Sequence, residues 1–211
     1  MKLFYQSVSS IFHPLLFPTY GTLLILIVNP NLYGHFPDRL HIVWLIIVFA
    51  LTFLFPVIWL FMMKRLEMID SLQLITAKER IIPFVATATF YLWTTWMFKP
   101  NVAMKVPPNA LVFFMMAGAT LAVFFGFFIN LFFKISIHAI AAGCLLGLTL
   151  SIVKFSTYDL RLVMVGVILL AGIIGTARLY LNAHDARQVF MGYLVGFTGQ
   201  FVSFTFISKF I

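Results

Sequence analysis

The chain has 211 residues, 63% of them hydrophobic and only 9% charged, with a formal net charge of +8. Soluble domains run at about half apolar and a quarter charged, so this composition excludes an ordinary water-soluble globule. In such a globule the charge would raise nucleic acid as a partner; here the basic residues sit at the ends of apolar stretches, where they reach lipid headgroups, and no nucleic-acid role is expected.

In chain order, apolar stretches predict spans over 11–29, 41–63, 81–98, 110–133, 136–153, 160–181 and 189–208. Each approaches the roughly 20 residues that a helix needs to cross a bilayer, and lipid leaves backbone groups no partner outside the helix itself. The expected fold is an all-α, polytopic integral membrane bundle of about six to seven transmembrane helices, a single transmembrane domain over 1–211. The count turns on the first span, which His13 opens and Pro14, Pro18 and Gly21 interrupt; it reads either as a crossing or as a tilted or re-entrant segment. It makes a poor signal peptide, with one lysine before it and no small-residue cleavage site after it. The longest polar connection, Lys64 to Arg80, is too short for a second domain, and Asn29-Pro30-Asn31 and Pro107-Pro108 read as turns. No internal repeat marks a transporter built from inverted halves. Cys144 is the only cysteine, which excludes an internal disulfide and a cysteine-based metal site.

Three polar islands interrupt the apolar pattern. The first is Lys78-Glu79-Arg80, ahead of Ile81-Ile82-Pro83, which by itself reads as a charged helix start. The second is Lys134-Ile135-Ser136-Ile137-His138, where Ser136 reads equally as a helix N-cap or as a donor at an anion site. The third combines Arg178, preceded by Val165–Ala177 without a charge, with Asn182-Ala183-His184-Asp185-Ala186-Arg187-Gln188. An arginine deep in a helix costs about 2.5–3.5 kcal/mol on insertion scales, so Arg178 either snorkels from a helix end or serves a function. Two spans separate Arg80 from His138, and two more separate His138 from His184, so all three islands emerge on one membrane face. Arginine offers a fork to phosphate oxygens, and histidines can attack phosphorus and protonate a leaving oxygen.

Residues 78–196 resemble the type 2 phosphatidic acid phosphatase and haloperoxidase superfamily. Its third motif places an arginine, five residues and a histidine, and Arg178 and His184 keep that spacing, with Val189, Gly192 and Gly196 matching the glycine-bearing helix that follows. The resemblance implies that His184 is the nucleophile, forming a phosphohistidine, and that Arg178 binds phosphate. Ile135-Ser136-Ile137-His138 keeps the serine and histidine of the second motif, Pro-Ser-Gly-His, which implies His138 as general acid and Ser136 as a phosphate donor. In the first motif Gln73 replaces a lysine and Arg80 is offset from Pro83, leaving Lys78 or Lys134 to supply the charge. Gln188 stands where the family has the aspartate that orients the nucleophile; its carbonyl can fix the imidazole tautomer but does not match a carboxylate in stabilising imidazolium. Asp185, one position along from the histidine, is expected to point elsewhere.

The leading expectation is a lipid phosphatase acting on phosphatidate, an isoprenyl diphosphate or a lipid A type substrate, with no metal and no cofactor, its partners being the phosphorylated lipid and the bilayer. The alternative is a degenerate relative that binds or moves an anionic lipid without turnover. Helix histidines also permit a haem-binding electron-transfer protein, but their clustering with basic residues suits an anion better. With Lys78, Arg80, Lys134 and Arg178 assigned to the site, the remaining Lys and Arg favour the opposite face as cytoplasmic. The family resemblance implies the same, a bacterial inner membrane protein with its site facing the periplasm.

Overall fold

A computed structural model describes residues 1–28, 38–69, 81–100, 110–153, 156 and 158–205. All regular structure among them is helical. In chain order it comprises α1 (Lys2–Ile11), a 3-10 turn (Pro14–Leu16), α2 (Phe17–Val28), α3 (Asp38–Phe49), a π turn (Ala50–Leu54), α4 (Phe55–Arg65), α5 (Ile81–Met97), α6 (Ala110–Phe132), α7 (Ile137–Ile152), α8 (Arg161–Tyr180) and α9 (Ala186–Thr205). Among the described residues, four segments are long and apolar enough to cross a membrane: Lys2–Val28, Leu40–Arg65, Ala110–Phe132 and Arg161–Tyr180; Ile81–Met97 and Ile137–Ile152 are shorter apolar helices. Apolar side chains such as Phe132 (91% exposed) and Leu162 (85%) point outward, where lipid is the fitting solvent.

The predicted first span begins too late. Helix already runs from Lys2, and its apolar side faces the bundle: Val8 is buried with Ala171, Ile174 and Ala177 of α8, and the Tyr5 ring lies tilted against that of Tyr180, centroids 4.5 Å apart. The chain then breaks at His13, which is extended and whose Nδ1 accepts the Leu15 N–H at 3.4 Å. Pro14 and Pro18 lack the N–H that a continuing helix would bond but suit the first positions of the new turns. A second proline, Pro56, is accommodated differently. The helix widens into the π turn just before it, relieving the clash of its ring with the carbonyl four residues back.

The centre of the molecule is a seam of α6, α7 and α9. Residues Leu111–Thr120 of α6 are buried without interruption. Glycines let the backbones touch: a methyl group on Gly196 would fall onto the Ile140 carbonyl oxygen, and one on Gly143 onto that of Tyr193. At Gly199 it would lie 2.8 Å from the Gly118 carbonyl oxygen, and at Gly147 2.7 Å from that of Phe197. Gly143 and Gly147, four residues apart on α7, and Gly192 and Gly196, four apart on α9, therefore line the α7–α9 contact, where close approach maximises dispersion without help from water. Polar ties fix the register. Gln200 Nε2 donates to the Met115 carbonyl at 2.9 Å, Ser203 Oγ to that of Phe114 at 2.6 Å, and the Thr95 and Thr120 hydroxyls pair at 2.9 Å between α5 and α6.

Candidate functional site

The spacing of Arg178 and His184 has a local cause. Helix α8 ends in a Schellman turn: the Ala183 N–H donates to the Arg178 carbonyl at 3.1 Å and the Asn182 N–H to that of Leu179 at 3.0 Å, with Asn182 left-handed at φ 50°. Asparagine tolerates that conformation better than most residues. The turn folds the chain back, so that His184, six positions beyond Arg178, faces the same space as the arginine of the last helical turn.

Helix α9 starts immediately afterwards, three residues earlier than the predicted span. Asp185 Oδ1 accepts the Gln188 N–H at 2.8 Å, closing the first turn as an N-cap side chain does. Gln188 therefore lies inside the helix, where its Oε1 is 2.7 Å from His184 Nδ1. Its Nε2 donates to Asp185 Oδ2 at 3.2 Å. As its place in the sequence predicts, Asp185 does not line the cavity; capping α9 turns its carboxylate over Gln188 instead.

At the start of α7, Ser136 Oγ accepts the Ala139 N–H at 3.4 Å, and the side chain is fully buried. Of its two readings, N-cap and anion donor, the geometry shows the cap; the cavity lining on this segment begins at Ile137. Lys134 does not line the cavity either, being set apart from His138 by the wholly buried Ile135 and Ser136. Gln73, Lys78 and Arg80 lie outside the described residues.

His13, His138, Arg178 and His184 meet at one cavity of about 190 Å³. Its walls come from the 3-10 turn (Pro14), the starts of α2, α5 and α7 (Phe17, Pro83, Ile137), the middle of α4 (Leu60) and the last turn of α8 (Arg178); among the described residues, the basic rim comes from His13, His138, Arg178 and His184, which lie at helix ends and turns. No carboxylate is among the described residues that line it. An apolar arm runs inward between α5, α6 and α7 as far as Tyr91, Ala119 and Cys144; Tyr91 lies ten residues into α5, about 15 Å along its axis.

Two residues of this site have no counterpart in the motif reading. The ring of His13 lies 6.0 Å, centroid to centroid, from that of His138. Ser9 of α1 joins the two basic groups: its carbonyl accepts from His138 Nε2 at 3.1 Å and its hydroxyl accepts from Arg178 at 3.1 Å. A carbonyl only accepts, so neutral His138 carries its proton on Nε2. His13 has a visible signal in the sequence, a histidine before a proline at a span start on the same face as the islands; Ser9 has none. Among the described residues, no three His, Cys, Asp or Glu side chains are arranged to hold a metal ion.

No family model, curated protein or solved structure matches the chain.

Proposed function

We propose that the protein is an integral membrane phosphatase that hydrolyses a lipid phosphate or diphosphate through a phosphohistidine. The observation that carries this reading is the convergence of His184, His138 and Arg178 on one cavity that has a basic rim and an apolar arm. Gln188 Oε1 can only accept from His184, which puts the imidazole proton on Nδ1 and leaves Nε2 with a lone pair. That nitrogen attacks phosphorus as the bond to the leaving oxygen breaks; His138 enters this step as imidazolium, gives its Nδ1 proton to the leaving oxygen and is left neutral with its remaining proton on Nε2 toward the Ser9 carbonyl. Water then cleaves the P–N bond, giving up its proton to His138. Arg178 balances the charge on the phosphoryl oxygens, and a lipid tail occupies the apolar arm.

In this reading the chain crosses a bacterial inner membrane six or seven times, counting α1 with α2 and α3 with α4, and the cavity opens on the periplasmic side. The assay is phosphate release from phosphatidate, an isoprenyl diphosphate and lipid A by the purified protein. Release that depends on His184 supports the proposal; equal release by wild type and His184→Ala ends it.

A second reading, a binder of anionic lipid without turnover, draws on different observations. Ser9 holds both His138 and Arg178, and an amide stands where a carboxylate would support imidazolium. It calls for saturable lipid-phosphate binding that His138→Ala weakens, with no covalent phosphoenzyme.

A further inference from the structure

The residue that orients the candidate nucleophile is an amide, and an amide has two orientations that act on a histidine in opposite ways. With Oε1 toward Nδ1, the imidazole is protonated on Nδ1 and nucleophilic at Nε2. With the NH2 toward Nδ1, the imidazole must accept there and carry its proton on Nε2, which blocks attack. Gln188 by itself does not decide between them.

Asp185 does. Its Oδ2 receives Gln188 Nε2–H at 3.2 Å and its Oδ1 receives the Gln188 backbone N–H at 2.8 Å, so one carboxylate grips the residue at both ends. In the flipped amide Oε1 would face Oδ2, acceptor against acceptor. We propose that Asp185 is a positioning residue that acts on His184 through the Gln188 amide, an indirect carboxylate relay Asp185–Gln188–His184. The carboxylate also polarises the amide, drawing electron density toward Oε1 as positive charge grows on the imidazole. The relay rests on His184 being the nucleophile of the proposed phosphatase, but its hydrogen bonds make a claim about the tautomer that is measurable without turnover.

The decisive variant is Asp185→Asn. Asparagine caps a helix as well as aspartate, so α9 keeps its start, while the new Nδ2 faces Gln188 Nε2 donor to donor and turns the amide over. In protein carrying 15N-labelled histidine, with the His184 signals assigned by their loss in His184→Gln, wild type is expected to show the Nδ1–H tautomer and Asp185→Asn the Nε2–H tautomer. Turnover of the lipid phosphate is expected to fall about tenfold or more in kcat, with KM little changed. Placing the substitution on Gln188→Glu reverses its sign. In that background two carboxylates oppose each other, and Asp185→Asn both relieves the repulsion and supplies a donor to the carboxylate introduced at position 188, so the double variant exceeds Gln188→Glu in rate. A residue that only caps a helix has the same sign in both backgrounds. An Nε2–H tautomer in wild type, an unchanged tautomer in Asp185→Asn, or a same-sign effect in both backgrounds overturns the relay. If no variant and no wild type releases phosphate, the phosphatase reading falls while the tautomer measurement still decides the relay.

Discussion

The α7–α9 seam and the cavity at one end of the bundle share helix α7 but are built by opposite means. Along the seam, backbone lies on backbone, and Gly143, Gly147, Gly192 and Gly196 leave no room for a methyl group. At the cavity, side chains reach inward from helix ends and turns, and what fixes them is a handful of hydrogen bonds through Ser9, Gln188 and Asp185. The difference separates stability from chemistry: the seam sets where α7 and α9 begin, and so where His138 and His184 stand, while the cavity residues can change without moving the helices.

Substitutions test that division. The largest effect is expected from Gly196→Val, which drives a branched side chain into the Ile140 carbonyl; the helices must part, and the variant should be lost from the folded, detergent-soluble fraction. His184→Ala should fold with an unchanged Tm yet lose phosphate release by at least about a hundredfold. If it unfolds instead, site and scaffold are not separable. Arg178→Lys keeps the charge but not the fork, and is expected to cost about tenfold to a hundredfold in kcat/KM in the same assay. Ser9→Ala removes the hydroxyl that Arg178 donates to and leaves the carbonyl that His138 uses, so KM should shift by less than about tenfold.

The smallest effect belongs to neither region. Asp159, outside the spans, holds Arg161 at 2.6 Å, and the hydrogen bonds from Arg161 keep its carboxyl below the usual carboxylate range. A lowered folded-state pKa contributes stability above the unfolded value and loses it as pH falls through the folded one. Because the pair is exposed to solvent, Asp159→Asn should leave Tm at neutral pH unmoved in a thermal melt.

Helix class and the approximate helix positions are legible in the sequence because a bilayer imposes length and apolarity on every span, and both are properties of consecutive residues. The seam is legible as two glycine pairs four apart, since that spacing places them on one helix face. Arg178, His138 and His184 are legible for a related reason: each breaks an apolar pattern, and counting crossings puts them at one end. Helix α1 escapes the pattern because its packing side is spread over Tyr5, Val8 and Phe12, with polar residues between. That Ser136 and Lys134 do not line the cavity is not legible, because proximity in sequence to His138 does not say which way a side chain points.

The sequence by itself determined that the chain is a bundle of apolar helices and which ionisable residues are out of place in it. Only the tertiary structure decided that Ser136 caps α7 and stays outside the cavity, that Ser9 and His13 belong to the site, and that Asp185 reaches His184 by way of Gln188. The reason is physical: apolar periodicity is written along one helix, whereas a hydrogen bond between Ser9 and Arg178, or an amide held by a cap, depends on how a turn redirects the chain and on what another helix places opposite.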